Sequence, residues 1–434
     1  MHTLEQLRSG ALAGAVRLQL ACGLTEFPRE IFDLADSLEI LDLSGNALST
    51  LPDDLPRLTR LRIIFCSSNQ FRELPAVLGA CLQLSMIGFK SNRIATVPAA
   101  ALPPALRWLI LTDNRIATLP AAIGRCAELQ KLMLAGNLLT DLPAALANCH
   151  KLELLRIAAN RLQALPAWLL EMPQLSWLAF AGNPCSSADE AALPLAAAED
   201  IAWNRLRIGG KLGEGASGVI YQAVLDSDGA DVAVKVFKGA VTSDGLPTCE
   251  LAACIGAGVH PNLIPVLAAV SGHPDGVHGC VMRLIDPAFC NLAGPPSLES
   301  CTRDVYGADV RMSLVSLLRL VRGVAAAAAH LHAVGIMHGD LYGHNILCTG
   351  DGAALLGDFG AASVFDGRGT EALALQRLEV RAFGVLLGEL LERCDDKELE
   401  ADTVMRLQEL QADCVVHRVS QRPLFHELVR RLGL

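Results

Sequence analysis

Neither half of this chain carries a surplus of basic charge. Residues 1–190 hold 16 basic and 17 acidic side chains, and residues 191–434 hold 20 and 29. With no basic face or tail, duplex nucleic acid is not an expected partner. The 14 cysteines form no C-x-x-C pair and no regular framework. That pattern fits free thiols in a reducing compartment. A secretory leader is not expected at this start either. Glu5 sits where a basic segment belongs, Arg17 breaks the apolar run, and no small-residue cleavage pattern follows. Val16, Leu18 and Leu20 are better read as the strand of a capping unit at the start of an array. No charge-free apolar run reaches the length needed to span a bilayer. One aqueous compartment, the cytoplasm, is therefore expected for both halves, with no membrane partner.

What the first half does contain is a period. Asn46, Asn69, Asn92, Asn114, Asn137, Asn160 and Asn183 recur at spacings of 23, 23, 22, 23, 23 and 23 residues. Each closes an L-x-x-L-x-L-x-x-N segment, as in Leu38-Leu41-Leu43-Asn46 and Leu129-Leu132-Leu134-Asn137. A Leu-Pro or Val-Pro pair follows the first six, from Leu51-Pro52 to Leu165-Pro166. Repetition at this period means units that bury their apolar face only against one another. Asparagine suits the turn off each strand, because its amide both donates to and accepts from backbone groups. Proline suits the segment beyond, where no ladder N–H is needed.

These residues closely resemble the leucine-rich repeat family over roughly residues 15 to 185. The resemblance implies an α/β solenoid with one short strand per coil on a concave face. The residue two after each first leucine reads Ile40, Ile63, Met86, Trp108, Lys131, Leu154 and Trp177. These positions are expected to face solvent in one column, and six of the seven are apolar. A gathered apolar stripe points to a binding site, so Ile40, Ile63, Met86, Trp108, Leu154 and Trp177 are read as a partner surface. The partner is another protein, or the chain's own second half. Residues 186–203, rich in Ala, Ser, Asp and Glu, read as end cap and linker with room for a short helix.

The second half begins with a β-pattern around Gly213-x-Gly215-x-x-Gly218. Alone, G-x-G-x-x-G is weak and also marks dinucleotide sites. Those need a helix after the glycines. Here a second β-run follows, and then a third that ends in Val232-Ala233-Val234-Lys235. Strand, glycine loop, strand, strand is the arrangement of a lid over nucleotide phosphates.

From residue 204 to 434 the chain resembles the protein kinase family, which implies an α+β bilobal domain that uses ATP and Mg²⁺. The resemblance implies a nucleotide lid at Leu212, Gly213, Glu214, Gly215, Ala216, Ser217, Gly218, Val219 and Ile220, with Ile220 and Ala233 flanking the adenine. It gives Lys235 the α- and β-phosphates and makes Glu250 its acidic partner. His338-Gly339-Asp340-Leu341-Tyr342-Gly343-His344-Asn345 matches the catalytic loop. Asp340 would take the acceptor proton, while Asn345 and Asp358 of Asp358-Phe359-Gly360 would bind the metal. Gln421-Arg422-Pro423-Leu424-Phe425 matches the arginine segment that braces the lower lobe.

Four departures stand out. Gly339 replaces the arginine that reads a phosphorylated activation loop. Tyr342 replaces the lysine that serine/threonine kinases place two after the catalytic Asp, leaving one cation fewer at the γ-phosphate. The segment from Asp358 to Glu379 is short and lacks A-P-E. Only 43 residues separate Glu379 from Arg422. The reading that follows is a leucine-rich repeat domain with an N-terminal cap at 1–185, a linker at 186–203 and a serine/threonine protein kinase domain at 204–434. Small-molecule kinases of the aminoglycoside and choline type share His-Gly-Asp-Leu, but they lack such a lid and the arginine segment. An inactive kinase-like scaffold is the third alternative.

Overall fold

The computed structural model describes residues 1–193, 199–215, 217–395 and 401–433. The chain forms two compact units. One comprises Met1–Leu155 and Asn160–Met172, the other Arg156–Ala159 and Pro173–Leu434. The sequence reading placed residues 156–159 and 173–185 with the repeats, whereas here they pack with the second unit.

The first unit opens with a short capped helix, α1 (Leu4–Arg8), whose Thr3 and Gln6 form a reciprocal cap. Three-residue strands then recur once per coil: β1 (Arg17–Gln19), β2 (Ile40–Asp42), β3 (Ile63–Phe65), β4 (Met86–Gly88), β5 (Trp108–Ile110), β6 (Lys131–Met133) and β7 (Leu154–Arg156). An eighth strand of the same length, β8 (Trp177–Ala179), belongs to the second unit. β1 is the expected capping strand, with Leu18 fully buried. Pro75, Pro98, Pro120, Pro143 and Pro166 each cap a 3₁₀ turn on the far side of a coil. The residue before each repeat asparagine is left-handed: Gly45, Ser68, Ser91, Asp113, Gly136, Ala159 and Gly182.

That turn aims the asparagine amide into the stack. Asn137 is buried, accepts from the Ile116 N–H at 3.0 Å, and donates to the Leu111 and Leu134 carbonyls at 2.9 Å. Three backbone groups from two adjacent coils thus meet one side chain, and the Leu111 and Leu134 carbonyls keep second partners in Asn114 and Asn160. Asn137→Ala is expected to leave the Ile116 N–H unpaired in the core, at about 1–3 kcal/mol. Thermal melting of the full chain checks this, and an unchanged melting temperature would sink the assignment.

The outward column lines up as expected: Ile40, Ile63, Met86, Trp108 and Lys131 are register partners in turn. Its exposure does not follow the expectation. Ile63, Met86, Leu154 and Trp177 are buried, and only Ile40 and Trp108 remain half-buried. Strands about 4.8 Å apart press large in-register side chains against one another. The Lys131 ammonium also sits 4.2 Å over the Trp108 ring.

In the second unit, helix α2 (Ser187–Ala192) and strand β9 (Glu199–Ala202) occupy the stretch read as a linker. β9 is a sheet strand, parallel to β13 (Val266–Ser271). It completes a six-stranded sheet with β10 (Leu206–Glu214), β11 (Gly218–Leu225), β12 (Asp231–Phe237) and β14 (Gly279–Arg283), in the order β10-β11-β12-β14-β13-β9. One face of this sheet buries Val234, Val281 and Ala268. Helix α3 (Pro247–Gly256) carries Glu250.

Below lies a helical layer. α4 (Leu314–Ala333) is capped by Ser313, whose hydroxyl accepts from the Ser316 N–H. Its length and apolarity would suit a membrane span, but 61% of its apolar window is buried inside the unit. α5 (Ala372–Glu392), α6 (Ala401–Val415) and α7 (Phe425–Arg431) complete the layer. Short strands frame the loops between: β15 (Cys290–Asn291), β16 (Ile336–Met337), β17 (Ile346–Cys348), β18 (Ala354–Leu356) and β19 (Ser363–Val364). β15-β17-β18 form one sheet, and β16 pairs β19.

Candidate active site

The β-run ending in Lys235 forms β12, and the antiparallel ladder sets Lys235 opposite Ile220 on one side and Cys280 on the other. Its stem is thereby buried, and its ammonium meets the Glu250 carboxylate from α3. Asp358 lies 3.6 Å away. Burial is the largest influence on both members, and it raises the Glu250 carboxyl, which reaches about 7 even beside Lys235. Burial would lower the Lys235 ammonium, but Asp358 and Glu250 together hold that group above its ordinary value, so the lysine stays charged.

The glycine loop joins β10 to β11. Leu212, Gly213 and Glu214 lie on β10, and Gly218, Val219 and Ile220 on β11. Gly215 and Ser217 sit in the turn between, and Ala216 falls outside the described residues. A Cβ at Gly213 or Gly215 would meet no other atom of the chain within 4 Å. The protein itself does not require glycine there, and the open space suits a ligand that lies close to the backbone. Gly218 differs, since a Cβ there would approach the Val236 carbonyl to 2.6 Å. Glu214 ties the lid edge to Lys211 and Lys238. Ala233 is buried and Ile220 half-buried.

Asp340 and Asn345 come together in the loop between β16 and β17. The Asn345 amide donates at 2.9 Å to both the Asp340 carbonyl and carboxylate. With its N–H groups committed, its oxygen is the face left for a cation. Asp358 is half-exposed and takes a left-handed backbone, φ 54°. One carboxylate, one amide oxygen and nucleotide phosphates form the hard-oxygen set that Mg²⁺ accepts, so the residues fit an Mg·ATP site. Among the described residues there is no cluster of three or more His, Cys, Asp or Glu placed to hold a metal without such phosphates.

His338 packs against Phe359, ring centroids 5.3 Å apart, and its Nε2 lies 2.8 Å from the Gly357 carbonyl. Glu379 accepts from the Gly339 N–H at 2.6 Å and the His338 N–H at 3.2 Å, which fixes the loop backbone. Arg422 donates to the carbonyls of Val416, Arg377 and Pro173. Burial and nearby Arg381 pull its guanidinium down to about 10.

Two of the four departures, Gly339 and Tyr342, have a packing explanation within this unit. A Cβ at Gly339 would lie 2.4 Å from the Ala361 carbonyl and 2.7 Å from that of Leu178 on β8, so no arginine fits. Tyr342 is buried flat against Trp177, with centroids 4.2 Å apart and planes 7° apart, and the Trp177 indole donates to the Leu341 carbonyl at 3.1 Å. The outward tryptophan of the apolar stripe is therefore a plug beneath the catalytic loop. Where the activation segment is cut short, Arg381 donates to Gln174 and Ser176, and the Phe180 N–H donates to the buried Ser363 hydroxyl at 2.9 Å.

The sequence reading missed Arg156. It is 1% exposed, donates through Nε to Asp244 at 2.6 Å and through Nη1 to the Gly339 carbonyl at 2.9 Å, and pairs through Nη2 with Asp340. Burial would raise the Asp340 pKa, but Arg156 foremost holds it below the ordinary carboxylate range. Asp244, which shares that guanidinium, is pushed up by its burial. One signal was available. The next outward position on each strand reads Asp42, Phe65, Gly88, Ile110, Met133, Arg156 and Ala179, which sets a charge at Arg156 between Met133 and Ala179.

A family model for the protein kinase domain matches residues 206–376, and leucine-rich repeat models match residues 37–58 and 104–162. The chain is similar to fibroblast growth factor receptor 1 of Xenopus laevis, at 26% identity over 57% of this chain and 37% of that protein. It is similar to the probable cyclin-dependent kinase 9 of Caenorhabditis elegans, at 27% over 36% and 32%. It is also similar to CBL-interacting protein kinase 22 of Oryza sativa subsp. japonica, at 29% over 38% of each. A solved leucine-rich repeat protein of Leptospira interrogans matches at 30% identity over 42% of this chain and 47% of that one, with TM-score 0.39. The chain spans about a third of the length of the curated relatives it matches. It carries leucine-rich repeats in its N-terminal part and a protein kinase domain in its C-terminal part.

Proposed function

We propose that this chain is a cytoplasmic protein kinase that transfers the γ-phosphoryl group of ATP to a serine or threonine hydroxyl. The observation that carries this is one unit that holds both the Lys235–Glu250 pair beside Asp358 and the Asp340 carboxylate held by the Asn345 amide. Lys235 would hold the α- and β-phosphates, and Glu250 would hold Lys235. Asn345 and Asp358 would ligate Mg²⁺, which supplies charge neutralisation at the phosphates when bound. Asp340 would orient the acceptor hydroxyl and take its proton. Most of this catalysis is positioning and electrostatics, which is the chemistry these side chains provide.

The repeats would recruit a protein partner, with half-buried Ile40, Phe65, Trp108 and Ile110 as the apolar contact points left on the strand column. Fixing serine or threonine, rather than tyrosine, as the acceptor needs phosphoamino-acid analysis of the product.

The test is transfer from Mg·ATP by the full chain, read by mass spectrometry. Asp358→Ala is expected to abolish transfer with little change in melting temperature. Lys235→Ala is expected to slow it by about 10²–10³-fold. A phosphorylated metabolite would instead favour the small-molecule reading. Parent-like turnover in both variants, or no turnover in the parent, would overturn the proposal.

A further inference from the structure

The buried arginine joins two parts of the site that are far apart in sequence. Asp244 lies in the turn just ahead of α3, the helix that carries Glu250. Thr242 closes this turn: its hydroxyl donates to the Gly245 carbonyl and accepts from the Asp244 and Gly245 N–H groups, at 3.1–3.3 Å. Gly245 packs against Ala158, since a Cβ there would lie 3.1 Å from the Ala158 methyl. Asp244 is thus a fixed arm. On the other side, Asp340 has one carboxylate oxygen on Arg156 and the other on Asn345. The same guanidinium also holds the Gly339 carbonyl. A planar fork of five N–H groups can satisfy three such acceptors at once, and a lysine ammonium cannot do so in this geometry.

We infer that Arg156 is a positioning residue that clamps the turn before α3 to the catalytic loop, so that Lys235–Glu250 and Asp340 are assembled together by a side chain from the last repeats. This rests on the kinase reading above. Gly339 cannot carry an arginine, for the steric reason given, and Arg156 places a guanidinium on that same residue's carbonyl. The three side chains that meet in the clamp, Asp244, Arg156 and Asp340, are charged without phosphorylation, so assembly of the site would not wait on a phosphorylated loop. At 1% exposure the guanidinium has no face left for substrate. Its effect passes through Asp340 and Asp244, which makes it a positioning residue.

Arg156→Ala would strand two buried carboxylates and risks unfolding. The tests therefore use Arg156→Lys and Asp244→Ala in the full chain. Asp244→Ala leaves the arginine paired one-to-one with Asp340. Arg156→Lys is expected to lower kcat about a hundredfold, with KM for ATP within about twofold, since small misplacements of a reacting group have effects of that size. Asp244→Ala is expected to lower kcat in the same sense but by less. A second readout does not use turnover. Amide hydrogen exchange over residues 338–345 is expected to rise in Asp244→Ala, although the substitution lies about a hundred residues away in sequence. A rise in kcat in either variant would show that Arg156 is an inhibitory cap on the base, and overturn the inference. So would unchanged kcat, a KM effect alone, or exchange confined to residues 240–246. If the parent transfers no phosphoryl group, the kinase reading fails, and exchange alone still decides whether the clamp exists.

Discussion

Trp177→Ala is expected to destabilise the second unit severely. The indole is 1% exposed, stacks on Tyr342 and donates to the Leu341 carbonyl. Truncating a buried aromatic of this size costs about 3–5 kcal/mol. The lost stack adds about 0.5–1.5 kcal/mol. In a unit of this size each kcal/mol is worth about 2–4 °C, so a drop on the order of 10 °C should appear in calorimetry of the full chain. The phase of the repeats alone predicts the opposite, an outward side chain whose loss leaves stability untouched. Trp108→Ala is the internal comparison. Its ring is half-buried and contacts Lys131, so its loss should be clearly smaller. Equal effects at the two positions would remove the argument that Trp177 is a core residue of the catalytic unit.

Residues 204–434, expressed alone, are expected to lack a cooperative thermal transition. Motif reading puts the kinase boundary there. The fold puts Arg156–Ala159 and Pro173 onward inside the same compact unit. Cutting at 204 removes Trp177 from Tyr342. It removes Gln174 and Ser176 from Arg381, Pro173 from Arg422, and β9 from the edge of the six-stranded sheet. The tryptophan alone is worth about 3–5 kcal/mol. Each hydrogen bond to a charged group contributes about 1.5–3 kcal/mol. Whole domains are stable by only about 5–15 kcal/mol. The lost terms are therefore comparable with everything that holds the unit folded. Near-ultraviolet circular dichroism of the fragment checks this. A sharp transition at the full-length temperature would mean that the last repeats are only neighbours of the catalytic unit, not part of it.

Much of the site was legible because it is written in short motifs. The spacing of His338, Asp340 and Asn345 confines them to one loop. The β-run before Lys235 places that lysine mid-sheet whatever surrounds it. The asparagine period was legible for a similar reason: each coil makes the same local turn, and each amide reaches only the coils beside it. The solvent exposure of the outward column was not legible. Alternation along a strand says which side chains share a face, and it is silent on what later covers that face.

The sequence by itself determined the repeat coils, the order of the main elements of the second half and the motif positions of Lys235, Glu250, Asp340, Asn345 and Asp358. These follow from local periods and from chemistry that only certain side chains provide. Only the tertiary structure decided why the site departs from the family pattern. Gly339 is small because the Leu178 and Ala361 carbonyls occupy its side-chain space. Tyr342 is aromatic because Trp177 stacks on it. Arg156 reaches Asp340 across 184 residues of chain. Each is a contact between segments with no shared motif, fixed by close packing and by the cost of leaving a buried charge unpaired. No period or spacing in the sequence encodes such a meeting, because the energy that selects it exists only once both segments are folded.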